Sequence, residues 1–192
     1  MIELDSANAL EDNTPRTHLK LANFTFVHRN AATANQAALL LRGKSDSTLV
    51  NGVIVSPMAC LRLNGTNILT ADAPNQKLGP PVFQSVVMSC GGASPFVGSG
   101  GVTAQQVADV FAAGSNNNSA FTSTLASTFI NGANETAAVA TNPQTLDAAF
   151  AVTNYVGAVQ NATDTWYAGW TCNSATATFA ATGTACTSLP SL

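Results

Sequence analysis

One short pattern comes round three times between Ile2 and Cys90. Each round opens with a short apolar strand ending in a polar or glycine corner: Ile2-Glu3-Leu4-Asp5, Leu39-Leu40-Leu41-Arg42-Gly43 and Cys60-Leu61-Arg62-Leu63-Asn64-Gly65. After a variable loop comes a second strand with a small polar residue near its start. These are Leu21-Ala22-Asn23-Phe24-Thr25-Phe26, Leu49-Val50-Asn51-Gly52-Val53-Ile54 and Phe83-Gln84-Ser85-Val86-Val87-Met88. Rounds of roughly 20 to 35 residues, with the slack taken up by polar or Pro-rich loops, fit successive coils of a parallel β-solenoid. The expected fold class is mainly β: a right-handed parallel β-helix with irregular coils and a C-terminal cap containing short α-helices. On adjoining coils Leu41 and Leu63 become neighbours. An antiparallel sandwich is the competing arrangement, but tight hairpin signals are few, Asn64-Gly65 being one.

After Cys90 the pattern changes. Gly91 to Gly101 reads as a Gly/Ser-rich loop rather than a strand. A helix follows, with Thr103 as N-cap, Gln106 as its capping-box partner and Gly114 as the stop. Val107, Val110 and Phe111 form its apolar face. Ser115–Ser119 is a polar loop, and Ala120–Ile130 is either helix or irregular cap. Asn142 and Pro143 open a second short helix to about Phe150, and Tyr155–Val159 reads as one more strand. The organisation expected is therefore coils over 1–90 and a helical, aromatic cap over 91–192, packed as one continuous domain.

Composition decides several function classes. Charged residues are only 9%, against roughly 25% in an average globular protein. With a net charge of −3 and no Lys/Arg cluster, a phosphate-tracking surface for nucleic acid is excluded. No apolar run approaches the roughly 20 residues of a membrane-spanning helix. The N-terminus lacks the basic and apolar regions of a signal peptide. With a strand beginning at residue 2, the chain reads as a fragment lacking that peptide. Cys60, Cys90, Cys172 and Cys186 are an even set in a Thr/Asn-rich chain, which points to structural disulfides in an exported protein, extracellular or at a bacterial cell surface. The favoured pairing is Cys60 with Cys90 and Cys172 with Cys186.

The run Tyr155-Val156-Gly157-Ala158-Val159, followed by Asp164-Thr165-Trp166-Tyr167-Ala168-Gly169-Trp170-Thr171-Cys172, resembles the C-terminal region of uncharacterised bacterial cell-surface or lipoprotein-like right-handed parallel β-helix proteins. Ile2-Glu3-Leu4-Asp5, Thr14-Pro15-Arg16 and Phe129-Ile130-Asn131-Gly132-Ala133-Asn134-Glu135 look similar too. The resemblance implies an exported β-helix end and supplies no catalytic residues.

Chemistry has to be sought residue by residue. Glu3, Asp5, Glu11 and Asp12 form the sharpest group, because hard carboxylate oxygens suit calcium. Parallel β-helices resembling pectate lyases hold calcium in this way, and Arg16, His18 or Arg42 would supply the base. The plainer reading puts Glu11 and Asp12 in a solvated loop and gives Asp5 a corner hydrogen bond. There is no Asp-Asp pair and no Arg-x-Pro-x-x-Arg signature, and glycoside hydrolysis needs a carboxylate separation that a sequence does not state. His18 and His28 read as independent surface histidines more readily than as a metal pair. Gly98-Ser99-Gly100 is no nucleophile elbow. Trp166, Tyr167 and Trp170 form either a platform for carbohydrate rings or the closure of the core.

Three functions follow. The leading one is a non-enzymatic structural module of an exported surface protein, self-associating into an extracellular assembly, with no cofactor. The second is a carbohydrate-binding or adhesion module whose partner is a surface polysaccharide. The third is a polysaccharide lyase or hydrolase with calcium.

Overall fold

The computed structural model describes residues 2–6, 16–29, 37–71, 79–168 and 171–174. The three-round pattern of the sequence forms six of its strands. The first member of each round is β1 (Ile2–Leu4), β3 (Ala37–Leu41) and β5 (Ala59–Asn64); the second is β2 (His18–Val27), β4 (Asp46–Ser56) and β6 (Val82–Cys90). With β7 (Phe96–Ser99), the odd strands make a four-stranded sheet in the order β1-β3-β5-β7, and the even strands make a three-stranded sheet β2-β4-β6. Every pairing is parallel, which removes the antiparallel sandwich. Leu41 pairs with Leu63.

The expected right-handed parallel β-helix is corrected by this arrangement. The strands lie in two parallel sheets of four and three strands accompanied by helices, an α/β-like architecture in which strand is only about 36% of the described residues. The physical reason is that an apolar strand with a polar corner is what any buried parallel sheet leaves in a sequence. Strand period specifies a pairing face; it does not specify how the connections close. Beyond Cys90 the described residues add one strand, Phe96–Ser99, and then short helices and irregular chain.

Like side chains stack across the pairings, and that is what packs the core. Leu21, Leu49 and Phe83 are in register, as are Phe26, Ile54 and Met88. On the other sheet Ile2, Leu39, Leu61 and Phe96 form one row. Leu39, Leu49, Ile54, Leu61 and Leu63 are wholly buried in one cluster, each contributing about 1.5–3 kcal/mol of transfer free energy. The disulfide Cys60–Cys90 joins β5 to β6 inside it, with 5.7 Å between Cα atoms, as the favoured pairing expects.

Helix α1 (Ala104–Ala112) closes one end, and its signals were legible. Thr103 Oγ1 accepts the Gln106 N–H at 3.2 Å, and Gln106 Oε1 accepts the Thr103 N–H at 2.9 Å, a reciprocal cap. Val107 and Phe111 are buried, and the Phe111 ring lies 5.5 Å from both Phe83 and Phe96. Phe96, Val102, Val107 and Phe111 thus belong to the same core cluster as the strands of 1–90.

Three local expectations are corrected. Phe96–Ser99 is a strand and not part of a loop, because Phe96 pairs with Leu61 and packs on Phe111. Gly98 has no Cβ to collide with the Val102 carbonyl. Pro143–Phe150 forms only a 3-10 turn, Pro143–Thr145, with Asn142 capping the Gln144 N–H at 3.1 Å. Tyr155–Val159 is not a strand: Gly157 sits at φ 87, and Val159 makes a single bridge to Ile130.

A polar seam ties this last segment to the outer face of β2-β4-β6. Asn23, Asn51 and Ser85 occupy equivalent register positions, all with φ between 51 and 54. Asparagine tolerates that left-handed backbone better than most residues. Asn23 Nδ2 donates to the Tyr155 carbonyl at 2.8 Å, and its Oδ1 accepts from Thr153 Oγ1 at 2.6 Å. Ser85 and Thr141 hydroxyls meet at 2.8 Å.

Candidate functional site

The expected carboxylate site is partly built, with a cation already in it. Asp5 Oδ2 lies 3.1 Å from Arg42 Nε, and Glu3 Oε1 lies 3.5 Å from Arg42 Nη1. Asp5 Oδ1 also accepts the Ser6 N–H at 2.8 Å. Gly43, at φ 61, has no Cβ to displace this carboxylate. Arg42 and Asp5 do meet at adjacent corners, but as an ion pair. Glu11 and Asp12 lie outside the described residues. Among the described residues no group of three or more His, Cys, Asp or Glu converges as a metal site.

The aromatic group divides. Tyr167 is buried and stacks edge-on with Phe129 at 5.2 Å and Trp166 at 6.2 Å. Trp166 is 63% exposed, with its indole N–H donated to the Ala158 carbonyl at 2.8 Å. Trp170 lies outside the described residues. Cys172 is disulfide-bonded, and Cys186 lies outside the described residues.

His18 and His28 stand at opposite ends of β2 and do not share a site. His28 Nδ1 lies 3.4 Å from Ser56 Oγ. His18 opens a cavity of about 360 Å³ between the starts of β4 and β6 and the end of α1, lined also by Asp46, Thr48, Gln84 and Val110. His18 Nε2 is 3.3 Å from Thr48 Oγ1 and 3.8 Å from the buried Asp46 Oδ2. Both oxygens approach the same ring nitrogen. A nucleophilic relay needs the hydroxyl on one nitrogen and the carboxylate on the other, so this cluster is not one. Beside it Asp147 pairs with Lys20. The hydrogen bond from Lys20, supported by the Ala149 N–H, holds the Asp147 carboxyl below its ordinary range.

A second concavity of about 540 Å³ lies where the Asn116–Thr122 loop faces α2 (Ala133–Ala137). Its walls are ordered from behind. Asn118 pairs with β6 through Asn118 N–H to the Val86 carbonyl at 3.0 Å and Met88 N–H to the Asn118 carbonyl at 2.8 Å. Asn117 spends its amide on the Phe83 and Phe111 carbonyls and the Val86 N–H. Glu135, 1% exposed, accepts from Ser123 Oγ, Thr124 N–H, Thr124 Oγ1 and Gly132 N–H at 2.8 to 3.1 Å. Burial raises the Glu135 pKa, but the bonds from Thr124 and Ser123 outweigh it and hold the carboxyl below its ordinary value.

Neither Asp46 and Thr48 nor the Asn118 groove was singled out from the sequence. The first had a signal: three polar residues, Asp46-Ser47-Thr48, head an apolar strand in register with His18. The second had none, because Asn118 and Asn134 are two of many asparagines in a Thr/Asn-rich chain. No family model, curated protein or solved structure matches the chain.

Proposed function

We propose that the chain is a non-enzymatic structural module of an exported bacterial surface protein. The observation that carries this reading is the use of a set of polar side chains to join segments of the fold. Asn23, Asn51, Ser85 and Glu135 bind segments of the chain to one another, and Arg42 neutralises Asp5 and Glu3. Polar groups fully engaged in the fold are held rigid and are not poised over a substrate. A buried disulfide suits an oxidising compartment, and no described helix is long and apolar enough to cross a membrane. The resemblance to bacterial surface proteins through the Tyr155–Val159 and Asp164–Cys172 runs belongs to the same proposal.

Among the described residues β1 and β2 have a strand neighbour on one side only. Unpaired edges recruit further strands, which supports self-association. Sedimentation velocity tests it: a species that grows with concentration is expected, and a monomer throughout removes this part of the proposal.

Enzymatic activity is tested by incubating the oxidised chain with calcium and neutral or acidic polysaccharides. No unsaturated or new reducing-end product is expected. Product release that disappears in Asp5→Asn would replace the structural reading with a lyase or hydrolase.

A further inference from the structure

We propose that the groove between the Asn116–Thr122 loop and α2 binds a neutral oligosaccharide. Charge comes first: no Asp, Glu, Lys, Arg or His lines it, so nothing there selects an ionic ligand. Its volume of about 540 Å³ falls within the roughly 300–1,000 Å³ of small-molecule sites.

The polar atoms left over have the right kinds and fixed directions. Asn118 Oδ1 is taken by the Ala120 N–H at 2.9 Å, leaving Nδ2 as a donor. Asn134 Nδ2 is given to the Thr122 carbonyl at 2.8 Å, leaving Oδ1 as an acceptor. The exposed Thr122 hydroxyl does both. Neighbouring sugar hydroxyls each donate and accept, so they match such a set. Phe121, half-buried against Val87, and Val139, 64% exposed, add apolar surface for the C–H faces of sugar rings.

The site is also built before any ligand arrives. The backbone of Asn118 is paired with β6, and the Asn134 N–H is held by Thr124 Oγ1 at 2.9 Å, itself bound to buried Glu135. Groups already ordered lose little further entropy on binding. This inference goes beyond the scaffold reading and stands apart from it, since a scaffold with or without a bound glycan releases no cleavage product.

The test is an amide-resolved NMR titration with maltohexaose, cellohexaose and mannohexaose, with hexagalacturonate as the charged control and a Gly-Ser peptide as the polypeptide control. At least one neutral hexasaccharide is expected to give saturable shifts at Asn118, Thr122 and Asn134, with none from either control. Asn118→Asp keeps the Ala120 bond but removes the donor, and Thr122→Val keeps the shape but removes the hydroxyl. Each is expected to weaken binding roughly fivefold to tenfold, with an unchanged near-ultraviolet circular dichroism spectrum. The proposal is overturned by no saturable shift with any neutral sugar, or by equal binding of a control. It is also overturned by binding that Trp166→Ala abolishes while both groove variants leave it intact.

Discussion

Asn51 and Thr141, 90 residues apart, bind each other twice: Asn51 Nδ2 donates to the Thr141 carbonyl at 2.8 Å, and Asn51 Oδ1 accepts the Thr141 N–H at 2.9 Å. Asn51 is wholly buried on the central strand β4. Its side chain replaces the strand neighbour that the Thr141 backbone lacks. The irregular chain around Thr141 is thereby fastened to the middle strand of the sheet.

Asn51→Ala removes both bonds and puts an alanine at φ 54. The expected loss is about 2–4 kcal/mol, read as a lower midpoint in denaturant. Asn51→Gly relieves the backbone cost but not the missing bonds, and is expected to fall between. Amide exchange should accelerate first around Thr141.

Glu135→Gln places an amide where four donors converge and is expected to cost about 2–3 kcal/mol at neutral pH. Because the folded carboxyl titrates below its ordinary value, its contribution is complete above the ordinary carboxylate range. It is lost as pH falls through the lowered folded pKa. Unfolding midpoints of wild type and Glu135→Gln should therefore converge in acid. A gap that widens as pH falls would refute the assignment.

The Cys60–Cys90 bond closes a loop with a sequence separation of 30. Loop entropy assigns it about 3–4 kcal/mol. The double variant Cys60→Ser/Cys90→Ser should lose that much in equilibrium unfolding while Cys172 keeps its own bond. An equal stability would detach the fold from any oxidising compartment.

Gly52 lies under the Phe24 ring, and a Cβ there would overlap ring carbons. Gly52→Ala should cost about 1–3 kcal/mol by overpacking. Adding Phe24→Leu should recover part of it, a non-additive pair visible in a double-mutant cycle.

Arg42 pairs with both Glu3 and Asp5. Wild-type thermal melts should be the same with calcium and with chelator. Arg42→Ala frees the carboxylates and should gain a calcium-dependent rise in melting temperature. A rise in wild type would restore calcium binding to the chain.

Much of the strand order was legible because burial leaves a local mark. Leu39, Leu49, Leu61 and Phe83 sit where apolar runs predict them, and Thr103 with Gln106 marks a helix start through bonds made within four residues. The groove and the His18 cavity were not legible. Asn118, Asn134, Asp46 and Thr48 are ordinary polar residues until distant backbone brings them together. Phe96–Ser99 was misread for the same reason: its strand is held by Leu61 and Phe111, not by its own Gly/Ser-rich composition.

The amino-acid order alone marked the six strands of the repeated pattern and the start of α1, since apolar periodicity and a cap made within four residues are local signals. Only the tertiary structure decided that the strands divide into two parallel sheets, and that Asn51, Ser85 and Glu135 serve as ties. Closure and polar partnering depend on contacts between remote segments, and no local period encodes those.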